Sequence, residues 1–375
     1  MTDSSTRAPE PFASSSGATH AGGHHGGRQL AVHHRTVYRR GRRHAAARVL
    51  MAGMAVAVAS SGVAGCGSAP PATSPTEVRV AALSAVDDAP LFIAKRRGLF
   101  RKAGLRVKIS MVAQSTQAVP KLVNGTIDVV AGANYVNYFQ AAARKVLRLR
   151  IVADGYQTLP HVTAVLPAPG MKDKITTPGD LKGKKVAFSV LKSVTTMTFD
   201  KMLSTVSGVK PEEVDHVEVA FPRMLATLKT DSVDAAYTIE PFTTAIEKQL
   251  GVKPILDPTG PGTDQTSGPT AAWPMSGYLA PKRWVDDHPK VAAAFQKVIQ
   301  QAQAIADKDP AAVRRVLPAY TAIDENTAAI ITLGYWPTSL SAKRLQRVAE
   351  LANESGLLPA NFEVAPLIFT PGGHK

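Results

Sequence analysis

Cysteine is all but missing from this chain. One thiol, Cys66, stands in 375 residues, so no internal disulfide can form. Small residues flank it on both sides, where nucleophilic catalysis would need a base and a shaped pocket. Aromatic residues are sparse at 6%, whereas a nucleic-acid face wants a basic stripe interleaved with them. Beyond Cys66 no run of 18 or more apolar residues occurs, so no later segment reads as a membrane-spanning helix. No phosphate-binding Gly-Lys-Ser/Thr loop is present. The histidines after Cys66 (His161, His216, His288 and His374) are scattered without metal-ligand spacing. No cofactor, metal or catalytic residue is expected on these grounds.

The surroundings of Cys66 explain it. Arg39, Arg40, Arg42, Arg43 and Arg48 form a positive block, and VLMAGMAVAVA (49–59) is an uncharged apolar run of 11. That is the length of a signal-peptide core and too short to span a bilayer. Val63-Ala64-Gly65-Cys66 resembles a bacterial lipobox, whose cysteine is diacylated and becomes the new N-terminus. Two acyl chains anchor stably where one does so marginally. An ordinary secretory signal with an incidental cysteine is the alternative. The expected layout is a signal peptide with a disordered N-terminal extension over 1–65 and a lipidated tether over 66–76. The protein would then sit outside the cytoplasm, held on the outer face of the cell membrane. The Ser-, Gly- and His-rich residues 1–36 read as a long leader, or as a reading frame started upstream. The pair Arg39-Arg40 suggests twin-arginine export, although its flanks fit that pattern poorly.

The formal charge of +15 is partly this leader, because residues 1–65 hold eight arginines and two acids. The remainder, 36 basic and 27 acidic residues, carries about +9. Its densest runs, KRRGLFRK (95–102) and RKVLRLR (144–150), are no longer than one helix face or strand. A basic soluble surface with no nucleic-acid partner follows.

From Val78 short apolar strands alternate with helices: strands at 78–83, 107–113, 128–133 and 147–155, then 186–190, 217–221, 232–238 and 253–257. Alternation of this kind implies crossovers and mainly parallel sheets. LVNGTIDVVA (122–131) and LKTDSVDAAY (228–237) align without a gap, each starting a strand at Asp128 or Asp234. The last hundred residues are helical. VAAAFQKVIQQAQAIA (291–306) places Val291, Phe295, Val298, Ile299, Ala302 and Ile305 on one stripe. Ser341 is a candidate N-cap and Gly356 a candidate C-cap. Two α/β lobes with a cleft between them, braced by C-terminal helices, is a ligand-binding layout.

APLFIAKRRGLFRKAGL (89–105), LVNGTIDVVAG (122–132), DLKGKKVAF (180–188) and VDAAYTIEPF (233–242) resemble, in order and spacing, the extracytoplasmic solute-binding proteins of ABC importers. The branch is that of the nitrate, sulfonate and taurine binders and their thiamin-precursor-binding relatives. The resemblance implies an α/β, type II periplasmic-binding-protein fold with a central ligand cleft and a C-terminal helical brace. Lobe one is expected at 77–166 plus 275–375 and lobe two at 167–274, with hinges near 167–179 and 268–277. It implies a monomer that hands a small solute to an ABC permease and its ATPase subunit. An enzyme or a pyrimidine (thiamin-precursor) binder on the same fold is the alternative. The related pyrimidine synthase is cysteine-rich, and this chain is not.

Ligands of such sheets meet strand-to-helix loops, where helix N-termini present free N–H groups. Those loops hold Asp87 and Asp88; Gln114, Ser115 and Thr116; Asn134 and Tyr135; Lys192, Ser193 and Thr195; Arg223; and Glu240. Lys192 and Arg223 beside helix starts oppose the macrodipole unless an anion lies between, which favours a sulfonate, nitrate or carboxylate-like solute. Asp87, Asp88 and Glu240 suit an amine instead. Ser189-Val190-Leu191-Lys192 matches an acyl-enzyme S-x-x-K, but its partner motifs are absent.

Cys66→Ser is expected to abolish lipidation and release a folded protein from the membrane. Fractionation with labelled palmitate checks this, and a labelled, membrane-bound variant would overturn the lipobox reading.

Overall fold

The computed structural model describes residues 76–259 and 272–372. The signal peptide, Cys66 and most of the tether expected from the sequence lie outside the described residues.

Strand β1 (Thr76–Leu83) runs parallel to β2 (Leu105–Val112) along its whole length and parallel to β3 (Val129–Asn134). β4 (Leu149–Asp154) follows. A late strand, β11 (Ser276–Pro281), inserts antiparallel between β3 and β4, giving the order β2-β1-β3-β11-β4. A second sheet holds β6 (Thr163–Pro167), β7 (Lys185–Phe188), β8 (Asp215–Glu218) and β9 (Ala235–Ile239) in the order β6-β9-β7-β8. Here β7 is parallel to β8 and β9, and β6 is antiparallel to β9.

Both sheets are covered on both faces, as parallel sheets require. Val78, Val80 and Ala82 of β1 face one core with Phe295 and Ile299, while Ala81 faces another with Tyr138 and Val348. In the second sheet Val186 and Phe188 alternate with Ala187 in the same way.

The sequence echo has a structural counterpart. Asp128 N–H donates to Arg79 O at 2.8 Å, and its Oδ2 accepts Arg79 N–H at 2.8 Å. Asp234 repeats both bonds on Lys185, at 2.8 and 2.7 Å. In each lobe the aspartate just before one strand (β3 or β9) clamps that strand's parallel neighbour (β1 or β7), which sets the parallel register.

Several expectations are corrected. β6, placed in lobe one from sequence, belongs to the second sheet, so the first crossing lies between Asp154 and Thr163 and not at 167–179. The reason is β5 (Gln157–Thr158), which pairs antiparallel with β10 (Trp273–Pro274) to make a two-residue ribbon between the lobes. The second crossing, at β10, falls inside 268–277. The strand expected at 253–257 is reduced to one bridge from Leu256 to Val165, since Pro254 has no N–H to give a ladder.

The long helix Pro289–Lys308 buries a wider face than the apolar stripe. Gln296 and Gln303 are buried, and donate from Nε2 to the carbonyls of Val152 and Asp154 on edge strand β4, each at 2.6 Å. Val291 and Ile305, at the margins, are only partly buried. Helix Ala342–Glu354 is capped by Ser341 Oγ, which accepts Arg344 N–H at 3.3 Å, and ends with Gly356 at φ +69°. It packs on helices of both lobes, with Lys201 and Glu354 paired at 3.6 Å, so the brace is not confined to lobe one.

Asp128→Ala is expected to cost about 2 kcal/mol, because it removes a clamp and strands a buried donor. Asp234→Ala, less buried, is expected to cost about 1 kcal/mol. Urea unfolding midpoints at constant m check the ranking.

Candidate functional site

A cavity of about 40 Å³ lies where the carboxyl ends of the two sheets face each other. Lobe one contributes Leu83 at the end of β1 with Ala85 and Asp87 after it, Ser115 after β2, Gly132 and Asn134 at the end of β3, and Met275 just before β11 with Ser276 as its first residue. Lobe two contributes Ser189 and Val190 after β7, Thr195 in the first turn of helix Val194–Ser207, Phe221 at the first residue of the next helix, and Ile239 at the end of β9. A larger cavity of about 540 Å³ lies at the opposite ends of β1 and β3. Two of its cations are already engaged, Arg79 with Asp128 and Lys282 with Asp286. The cleft position, not the size, marks the site in an open α/β sheet.

Asp87 is 7% exposed. Its Oδ2 accepts Ser276 Oγ–H, its backbone carbonyl accepts Trp336 Nε1–H at 3.1 Å, and Oδ1 has no partner. Burial pushes its pKa up to about 6. Asp88 is fully buried beside it. Its Oδ2 accepts Leu83 N–H at 2.7 Å, its Oδ1 is also unpartnered, and burial holds its carboxyl well above the usual range. Gly132 makes room for this pair. At φ +60°, a Cβ there would stand 2.8 Å from Leu83 Cδ1 and 3.2 Å from each Asp88 carboxylate oxygen.

Of the other residues singled out from sequence, Ser115, Asn134 and Thr195 line the cavity with Asp87. Asn134 Oδ1 accepts Val194 N–H from lobe two at 3.2 Å. Gln114 stands at the rim and bridges the lobes, donating from Nε2 to Ser189 O at 2.5 Å and to Glu218 at 3.0 Å. Thr116 is half-buried outside the lining. Ser193 is the N-cap of its helix, and its Oγ–H donates to Val190 O at 2.7 Å. Tyr135 turns into the core, where its hydroxyl meets Asp154 at 2.6 Å. Glu240 sits behind the cleft and accepts Thr244 Oγ–H at 2.7 Å and Thr332 N–H at 3.0 Å, with burial raising its pKa to about 6.

Lys192 and Arg223 do not reach the cavity. Both are exposed; Lys192 takes φ +52°, and only its backbone carbonyl faces lobe one, accepting Gln140 Nε2–H at 2.7 Å. The expectation of an anionic solute rested on these two cations. Among the described residues, no Lys, Arg or His lines the cavity. Ser276, Ser189, Met275 and Gly132 were missed. Only Gly132 carried a signal, a glycine inside a strand pattern where backbone comes close to another group.

The family model described as NMT1/THI5 like matches residues 86–313. The chain belongs to the NMT1/THI5 like family. A putative thiamine biosynthesis protein of Haemophilus influenzae is 26% identical over 286 residues, covering 73% of this chain and 84% of that protein. The solved alkanesulfonate-binding protein SsuA of Xanthomonas axonopodis pv. citri, bound to MOPS, superposes with TM-score 0.63 at 20% identity, covering 79% of this chain and 98% of that one. The desulfurization enzyme DSZB shares the fold at TM-score 0.57 and 14% identity, over 78% of this chain and 96% of that one. This member of the NMT1/THI5 like family thus has the two-lobe, type II binding-protein fold.

Because the folded-state pKa of Asp87 lies above the ordinary 3.8, its folded form holds a proton that the unfolded chain has lost between about pH 4 and 6. Its contribution to stability is present below that window and lost as pH rises through it. Asp88, Tyr156, Tyr278 and Tyr320 surround it, and none supplies a cation. Asp87→Asn is therefore expected to gain in melting temperature relative to wild type as pH is raised from about 4 to 6 and to hold that gain above. Calorimetric scans across the range check the sign.

Proposed function

We propose that this chain is the lipid-anchored solute-binding component of an ABC importer. It captures a small polar solute between its lobes and presents the closed form to a permease. The observation that carries the reading is the cavity itself, built from the carboxyl ends of both sheets and spanned by bonds between the lobes. Gln114 to Ser189, Asn134 to Val194 and Gln140 to Lys192 all join one lobe to the other around it. The β5/β10 ribbon supplies a hinge of few residues, as rigid-lobe closure requires. The family, the apolar signal and the lipobox-like tetrad agree with a location outside the cytoplasm. The lining offers hydroxyls, an amide and a carboxylate, a set suited to holding a polar solute.

Closure is tested without a known cargo. Gln114→Ala/Gln140→Ala, in the exported Cys66→Ser protein, removes two lobe-bridging side chains and is expected to increase the radius of gyration measured by small-angle scattering. An unchanged radius would count against a hinged, two-state cleft.

A further inference from the structure

The capture of a solute leaves one group on the cavity wall unanswered. Asp87 is more than nine-tenths buried, is fixed by Ser276 and Trp336, and has a free Oδ1. Asp88 adds a second buried acceptor without a partner, pressed against the cavity-lining Gly132. The polar atoms behind them do not neutralise this charge. Tyr320 donates its hydroxyl to Ala85 O at 3.1 Å, and the Tyr278 hydroxyl has no partner at all.

We propose that the cleft recognises its solute through a cationic nitrogen group, an ammonium or amidinium, docked on the Asp87 carboxylate as the lobes close over it. This rests on the solute-binding reading above. A buried carboxylate oxygen without a partner is unfavourable, and a charge-assisted N–H bond from the solute offsets that while fixing its orientation. A solute presenting only an anion to this wall would meet like charge in a site with little water to screen it. The cavity in this closed arrangement holds only a few heavy atoms, which fits the charged end of a small amine. The hydroxyl of Ser115 and the amide of Asn134 stand on the same wall to meet the rest of the solute.

The test is a matched set of probes, ethylammonium, taurine and ethanesulfonate, each at about 10 mM with the exported Cys66→Ser protein, read by calorimetric melting and titration. Ethylammonium and taurine are expected to raise the melting temperature and ethanesulfonate to leave it unchanged. Asp87→Asn keeps the shape of the side chain and is expected to weaken amine binding at least tenfold. In wild type, ethylammonium affinity is expected to rise by up to tenfold per pH unit below about 6 and to level off above, because the carboxyl must lose its proton first. Asp88 stands beside Asp87 and Glu240 behind the cleft, and a flat profile in Asp87→Asn assigns the dependence to Asp87. Stabilisation by ethanesulfonate alone would overturn the inference and leave solute binding standing. Equal amine binding by wild type and Asp87→Asn would overturn it too. If neither amine binds, the inference fails, and if nitrate and other alkanesulfonates also leave the melt unchanged, the solute-binding reading fails with it.

Discussion

Asp154 is the point on which the arrangement of the lobes turns. It is 1% exposed and ends β4, where the chain leaves lobe one. Four groups converge on its carboxylate and carbonyl: Arg344 from the last long helix (Nε–Oδ2, 2.9 Å), Tyr135 Oη, Gly155 N–H at 2.9 Å and Gln303 Nε2 at 2.6 Å. A buried ion pair is a weak source of net stability, but removing one partner leaves an uncompensated charge, so the geometry is strongly held. This node ties β4, the helix after β3 and the C-terminal brace together at the root of the β5/β10 ribbon. The residues that lead into the ribbon are thereby fixed on the lobe-one side.

The two lobes are variations on one unit. In each, one strand (β1 or β7) receives a parallel neighbour on either side and is clamped by an aspartate before one of those neighbours (β3 or β9). The repeat brings the carboxyl ends of both sheets to one cleft, and the polar inventory there follows from which loop each lobe supplies. Lobe one brings the carboxylates and most of the polar side chains. Lobe two brings Ser189, the start of a capped helix and the Phe221 ring, which stacks on Phe242 at 5.4 Å. The protein is basic overall, yet its cleft wall is acidic, so the net charge says nothing about what the cleft holds.

Much of the fold was legible because its signals are local. The alternation of strands and helices, the Ser341 cap and the Asp128/Asp234 echo each need only a short window of sequence. The first hinge was misplaced because β5 is two residues long and its partner lies more than a hundred residues away. Gln296 and Gln303 were unreadable for a related reason: a buried glutamine is made tolerable by carbonyls on a distant edge strand. At the site, spacing located the loops but not the direction of the side chains. Asp87, Ser115, Asn134 and Thr195 face the cavity, whereas Lys192, one residue before a helix cap, is turned outward by its backbone, and Tyr135 is drawn inward by Asp154.

The insertion of β11 between β3 and β4 has a consequence for the order of assembly. Lobe two holds all its strands within residues 163–239, so it can complete its sheet from contiguous chain. Lobe one cannot. Its β3 and β4 have no direct pairing and must wait for residues 276–281, long after their own synthesis. Pairings of such sequence separation form slowly, because loop closure precedes any gain from contacts. A chain that emerges N-terminus first therefore keeps its leading lobe unfinished until nearly three quarters of its length is available.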